Sequence, residues 1–212
     1  MPVTIASTIA ELAAAQALFE EAIPGIAPDA VPMTSWGQRN YDVTVAQFRG
    51  DDGELFGAAL TCRAQAAVMS VLMGDPLGFR PVLEQHSELD LIAVRPDSRS
   101  KGVGSALIEF LEEGLVAAGV RVWFGNVTPG LDVDRLESFY GRHGFTVGER
   151  GAPLPRLLGK DWAPPLLAEK PAFYFHKTLG DAATHSDLSH RVVTPPDPRK
   201  ARRAGKSKKR KR

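Results

Sequence analysis

Residue patterning along this chain predicts an α/β domain built on a mixed sheet, and three observations carry that expectation. Between Leu89 and Val127 an apolar segment, a glycine-containing loop, an amphipathic stretch and a second apolar segment follow one another. That is the order of a strand–helix–strand crossover, whose two strands run parallel. Strand-like runs lie on either side of the unit, and the two before it are joined by Gly50-Asp51-Asp52-Gly53-Glu54, the turn chemistry of an antiparallel hairpin. With 212 residues, 43% of them hydrophobic, the chain has material for one substantial core.

Each element has its own justification. Ser7 to Ala22 places Ile9, Leu12, Ala13, Ala15, Leu18 and Phe19 at helical spacing, and Ile23-Pro24-Gly25 ends that helix. Residues 24–40 hold four prolines or glycines before Trp36 and read as a loop. Tyr41 to Arg49 and Leu55 to Arg63 are the two hairpin strands. Ala64 to Met73 is compatible with a short helix or a continued strand, and Gly74-Asp75-Pro76-Leu77-Gly78 is a break. Met69 and Met73 in this stretch are read as core packing.

Leu89 to Val94 reads as a buried strand that stops at Arg95-Pro96, because proline donates no backbone hydrogen bond and restricts the residue before it. Val103, Ala106, Leu107, Phe110, Leu111 and Leu115 then form one apolar helical stripe, and Gly119 sits where a helix C-cap belongs. Val120 to Val127 is the next strand. Asp132 or Asp134 caps the following helix, whose apolar face is Leu136, Phe139 and Tyr140. Phe145 to Arg150 and Ala172 to Leu179 are strand-like, and residues 151–171, with five prolines and Trp162, read as a surface excursion between them.

The stretch Arg99-Ser100-Lys101-Gly102-Val103-Gly104 leads from strand to helix. Its glycines allow close backbone approach, and a helix start offers unpaired N–H groups at the positive end of its dipole. Such a turn suits a phosphate or pyrophosphate. The chain has no G-x-x-x-x-G-K-[ST], no G-x-G-x-x-G after a strand and no G-x-S-x-G, so P-loop, Rossmann and serine-hydrolase readings lack their residues.

The six residues 99–104 resemble the R/Q-x-x-G-x-G/A pattern of the Gcn5-related N-acetyltransferase (GNAT) superfamily. A second segment, Leu136-Glu137-Ser138-Phe139-Tyr140-Gly141-Arg142-His143-Gly144-Phe145, is similar to that family's F/L-Y-x-x-x-G-F segment. The resemblance implies a GNAT-like sheet of about six to seven strands flanked by helices, over roughly residues 5–180. It also implies acetyl-CoA as cofactor, with transfer of its acetyl group to a primary amine by direct attack in a ternary complex. The strand 89–94 would part from its neighbour so that the backbone of Ile92, Ala93 and Val94 pairs with pantetheine. Arg99, Ser100, Lys101, Gly102, Val103, Gly104 and Ser105 would hold the pyrophosphate. By the same resemblance Tyr140 is the general acid for the departing thiolate. Many relatives carry Asn seven residues before this tyrosine, where this chain has Val133; Asn126 is the alternative cofactor contact.

Deprotonation of an ammonium acceptor needs a base. Histone-type members open the strand before the glycine loop with a glutamate, and the matching position is Glu88. Asp90 follows two residues later, and a carboxylate pair on one strand face raises one of the two pKa values. The bland readings stand beside these: Tyr140 as an interface aromatic, Glu88 and Asp90 as solvated strand-start acids, and ordered water as the base.

Charge divides the chain. Beyond residue 182 lie 11 of the 26 Lys/Arg and 2 of the 25 Asp/Glu, about +9, which leaves 15 and 23, about −8, for the rest. Two parts follow: a domain at 1–182, and a basic tail at 183–212 with prolines 195, 196 and 198, expected to be disordered. The tail reads as a solvated charge run rather than a nucleic-acid anchor, since no aromatic accompanies it. The other class of function is a silent CoA-binding sensor or nucleic-acid-associated module anchored by that tail. One cysteine, Cys62, excludes an internal disulfide framework and suits a reducing cytoplasm, and no run approaches membrane-span length. The histidines lack metal-ligand spacing. A small-molecule or peptide amine is the expected partner, for a monomer or homodimer, with no membrane.

Overall fold

A computed structural model describes residues 3–157 and 172–180. Seven strands form one mixed sheet in the order β1-β2-β3-β4-β5-β7-β6. They are β1 (Val3–Ile5), β2 (Thr44–Arg49), β3 (Leu55–Arg63), β4 (His86–Val94), β5 (Val122–Asn126), β6 (Thr146–Val147) and β7 (Tyr174–Thr178). The helices are α1 (Ile9–Ala22), α2 (Ser35–Tyr41), α3 (Gln65–Leu72), α4 (Val103–Ala117) and α5 (Val133–Arg142). All neighbouring strands pair antiparallel except β4 and β5, the crossover pair, which run parallel as expected.

Alternation along β2 and β3 sorts the core to two faces. Ala46 and Ala59 pack with Val103, Leu107, Ile108 and Leu111 of α4, together with Tyr140, Phe145 and Phe175. Val45, Ala58 and Leu60 pack instead with Leu12, Ala15, Leu18 and Phe19 of α1. A third cluster, Ala64, Ala67, Phe79, Phe124, Leu154, Leu157 and Tyr174, covers β5 and β7 on the α3 side.

Local chemistry fixes the helix starts. Thr8 and Glu11 form a capping box on α1: Thr8 Oγ1 accepts from Glu11 N–H at 3.2 Å, and Glu11 Oε2 accepts from Thr8 N–H at 2.9 Å. Asp132 rather than Asp134 caps α5, through Arg135 N–H at 3.2 Å. Gly119, with φ +79°, follows the last residues of α4, in the left-handed geometry its C-terminus needs.

Three expectations are corrected, and the open reading of residues 64–73 resolves to a helix. α2 lies inside the stretch read as a loop and takes in Tyr41, so β2 begins only at Thr44. Its signal was a cap, Thr34 Oγ1 accepting from Gly37 N–H at 3.2 Å, with no apolar period behind it. Residues 65–72 are helical. β6 is two residues long, because Gly148 turns away after one more bond to Tyr174 O at 2.8 Å. Met69 and Met73 are not core: they are 47% and 74% exposed, while Ala67, Val68 and Ser70 make the buried face of α3. Trp162 and the tail at 183–212 lie outside the described residues.

Candidate active site at the parted strands

Where β4 meets β5 the ladder runs only from His86↔Val122 to Leu89↔Gly125. Beyond it β4 continues to Val94 against β3 alone, while β5 stays on β7 through Asn126↔Tyr174. The two parallel strands therefore part, and among the described residues nothing forms a ladder with the β5-facing backbone edge of β4 after Leu89. Two local features set the fork. In β4 Leu91 pairs with Leu60 and Leu89 with Thr61, so Asp90 is an extra, bulged residue that bends the strand. At the vertex, a Cβ on Gly125 would stand 2.5 Å from the Phe175 ring and 2.6 Å from Leu89 O, so only glycine allows that packing.

Beside the open edge lies a cavity of about 490 Å³. Ile92, Ala93 and Val94 of β4, Arg99 and Ser100 of the loop, and Gly102 to Ser105 at the start of α4 line it. Ser100 and Gly102 have φ of +62° and +83°, which turns the loop back on itself ahead of the helix. Ala106 is the first α4 residue whose N–H finds the preceding turn, at Gly102 O 2.9 Å, so the N–H groups just before it belong to the open helix mouth. Gly104 lets the Phe139 ring lie close: an added Cβ would stand 3.3 Å from it. Arg99 Nε donates to Val94 O at 3.2 Å, tying the loop to the end of β4.

The opposite wall was not read from the sequence. α5 contributes Arg135, Leu136, Phe139 and Arg142; with Arg99 that makes three arginines on a cavity whose one acidic lining residue, among the described residues, is Asp132. A helical pattern with arginines at 135 and 142, one on each side of Leu136 and Phe139, was the signal available. Ser105 Oγ and His143 Nε2 stand 3.0 Å apart and join the first turn of α4 to the end of α5. Burial lowers the His143 pKa, which favours its neutral form. Lys101 and Asn126 are not among the lining residues, and Asn126 is exposed at the end of β5.

Tyr140 is 4% exposed and stacks on Phe175 with ring centroids 3.7 Å apart, edge-on to Phe139 and Phe145. Burial raises its phenol well above the ordinary value. Phe139, in ring contact with it, lines the cavity, whereas Tyr140 is not among the lining residues.

Glu88 and Asp90 meet at the start of α3. Glu88 Oε2 accepts from Gln65 N–H at 2.9 Å, and the Gln65 side chain hydrogen-bonds Asp90. Burial pushes Glu88 up to about 7 against the lowering effect of the Gln65 bond, with Asp90 adding to the rise; burial likewise raises Asp90 to about 6. Tyr174 of β7 feels the Glu88 charge. Cys62, next to this pair, is 3% exposed, and burial raises its thiol pKa, as befits an inert core cysteine. No group of three or more potential metal ligands occurs among the described residues.

The donor set fits an anionic, partly apolar ligand: N–H groups and arginines at one end, and the unpaired edge of β4 with Ile92 and Val94 at the other. The family model of the acetyltransferase (GNAT) domain matches residues 51–147. Among solved structures, a protein from Desulfovibrio desulfuricans assigned to the GNAT family superposes with TM-score 0.59 at 16% identity, covering 84% of this chain and 98% of that one. A ribosomal-protein-alanine N-acetyltransferase from Brucella melitensis gives 0.56 at 18%, covering 84% and 100%. The ribosomal-protein-S18-alanine N-acetyltransferase from Escherichia coli gives 0.52 at 19%, covering 85% and 96%. Curated protein sequences give no significant match. The chain thus matches the GNAT domain model over residues 51–147 and shares its fold with these acetyltransferase structures.

Proposed function

We propose that this protein is an N-acetyltransferase that moves an acetyl group from acetyl-CoA to a primary amine by direct attack. The observation that carries the reading is the fork itself: an unladdered β4 edge running into a glycine loop and helix mouth, beside a cavity lined by three arginines. Arg99 and the N–H groups of residues 100–105 bind the diphosphate, and the backbone of Ile92, Ala93 and Val94 orients the pantetheine arm along the strand. Acetyl-CoA, when bound, supplies the thioester whose carbonyl carbon the amine attacks, forming an N–C bond as the C–S bond breaks.

Glu88, with Asp90 beside it, takes the proton that the acceptor ammonium must lose. A carboxyl at about 7 is matched to proton transfer at neutral pH. Tyr140 returns a proton to the departing thiolate. A phenol held in an aromatic core keeps its proton until strong charge develops next to it. The acceptor is a small-molecule or peptide amine, and the net charge of about −8 over residues 1–182 favours a cationic one.

Calorimetry with CoA and acetyl-CoA, followed by thiol release across an amine panel, tests this. Saturable heat and amine-dependent thiol release are expected. Heat without turnover of any amine would point to a CoA-binding sensor, and no heat at all would end the acyl-transfer reading.

A further inference from the structure

Large exposed apolar side chains are unevenly spread along this chain. Of the nine such residues exposed among those described, six fall between Met33 and Leu77: Met33, Trp36, Met69, Leu72, Met73 and Leu77. On α3 they make a stripe. Gln65, Met69, Leu72 and Met73 recur at i, i+4, i+7 and i+8, so one face of the helix turns them all outward. Met69, Leu72 and Met73 are 47%, 52% and 74% exposed, whereas surface positions on a short helix ordinarily carry polar residues. α2 flanks the stripe, with the Tyr41 hydroxyl 3.3 Å from Met69 Sδ.

The stripe begins at the carboxylates. Gln65, its first residue, holds Glu88 through its backbone N–H and Asp90 through its side chain. An acidic pair therefore stands at one end, and apolar surface runs from it for about 12 Å, eight residues of helical rise. That length matches about three to four residues of extended peptide. Charge complementarity places the cationic end of a ligand at Glu88 and Asp90, with its apolar body along α3. A compact amine would leave most of the stripe uncovered.

We propose that the outward face of α3 seats the residues behind the reacting amine of a peptide acceptor, so that this protein prefers peptide amino termini whose leading residues are apolar. The proposal rests on the acyl-transfer reading above and names the substrate class of that site. Proton chemistry agrees with it. An α-amino group titrates at about 7.7–8.0 and a lysine side chain at about 10.4, so an α-ammonium is the closer match to the Glu88 carboxyl.

The test measures thiol release from acetyl-CoA with two short peptide amides that both begin with alanine. One continues with leucine, phenylalanine and methionine, the other with glutamine, serine and asparagine. The apolar peptide should show about ten-fold higher kcat/KM, the effect of partly burying two or three apolar side chains. The double variant Met69→Gln, Leu72→Gln should erase the preference, bringing both peptides to one kcat/KM, with the heat of acetyl-CoA binding as the check that the domain is folded. Equal kcat/KM for the two peptides on the unaltered protein would overturn the proposal. So would a lysine side chain or a compact polyamine turned over faster than either peptide. A concentration-dependent dimer that the double variant abolishes, with the preference intact, would assign the stripe to a second copy of the chain instead. If acetyl-CoA binds and no amine of any kind is acetylated, the acyl-transfer reading fails and this proposal with it. Turnover without peptide preference sinks this proposal alone.

Discussion

On one flank of the fork, the residues that meet the cavity from Ile92 to Ser105 come from a single contiguous stretch, and its chemistry is mostly backbone: N–H groups, positive φ and missing Cβ atoms. The second flank, lower on β4, gathers Gln65 of α3, the Glu88–Asp90 pair and Tyr174 of β7 from three segments, and its chemistry is side-chain carboxyls shifted by burial. A backbone device can be written in a few consecutive residues, because glycine and helix-start geometry are local. A tuned acid pair needs a bulge, a helix start and a neighbouring strand to arrive together. The first flank should therefore tolerate side-chain changes and fail on backbone ones, and the second should do the reverse.

The largest expected effect tests the second flank. Glu88→Gln should lower kcat by about 10²–10⁴-fold in a thiol-release assay, with acetyl-CoA affinity by calorimetry little changed. Tyr140→Phe should cost about 10²-fold in kcat on the same terms, and full activity would mean that the buried ring only packs.

The pH profile of kcat/KM sharpens the comparison. With Glu88 as the proposed base only its ionised form is active, so the acid limb should rise toward a midpoint near pH 7 and disappear in Glu88→Gln. Stability should move the opposite way. The folded carboxyl holds its proton to about 7 against 4.5 in the unfolded chain, so its stabilising contribution is complete below pH 4.5 and lost as pH rises through 7. Thermal melts across that range should show the slope, flattened in Glu88→Gln.

Backbone changes at the vertex and the loop come next. Gly125→Ala pushes a methyl group against Phe175 and the Leu89 carbonyl and should cost about 1–3 kcal/mol in denaturant unfolding. Gly102→Val forces a β-branched residue to φ +83°, where space is open but conformation is not. It should weaken acetyl-CoA binding about ten-fold by calorimetry with kcat little altered, the smallest of these effects. A larger kcat loss than binding loss at Gly102 would break the division between the flanks.

The helix of residues 103–117, the crossover pair β4 and β5, the hairpin of β2 and β3 and the glycine loop were legible in the residues, because periodicity and turn chemistry act over short range. α2 was not, since seven residues with an internal glycine give no period and only the Thr34 cap marks the start. Arg135 and Arg142 were passed over for a similar reason: on the sequence they are surface cations of α5, and they become cavity walls only when α5 packs across the mouth of α4.

Residue order alone therefore settled where backbone can be gripped: a strand that must stop at Pro96, a loop that can turn at Gly102, a helix that must start there. Packing settled which side chains share that space. It sank Tyr140 into an aromatic stack, brought Glu88 and Asp90 together at Gln65 across a bulge, and turned Met69 and Met73 outward where core was expected. Local rules fix dihedral angles and hydrogen-bond donors within a few residues, whereas burial, and every pKa and specificity that follows from it, depends on segments far apart in the chain.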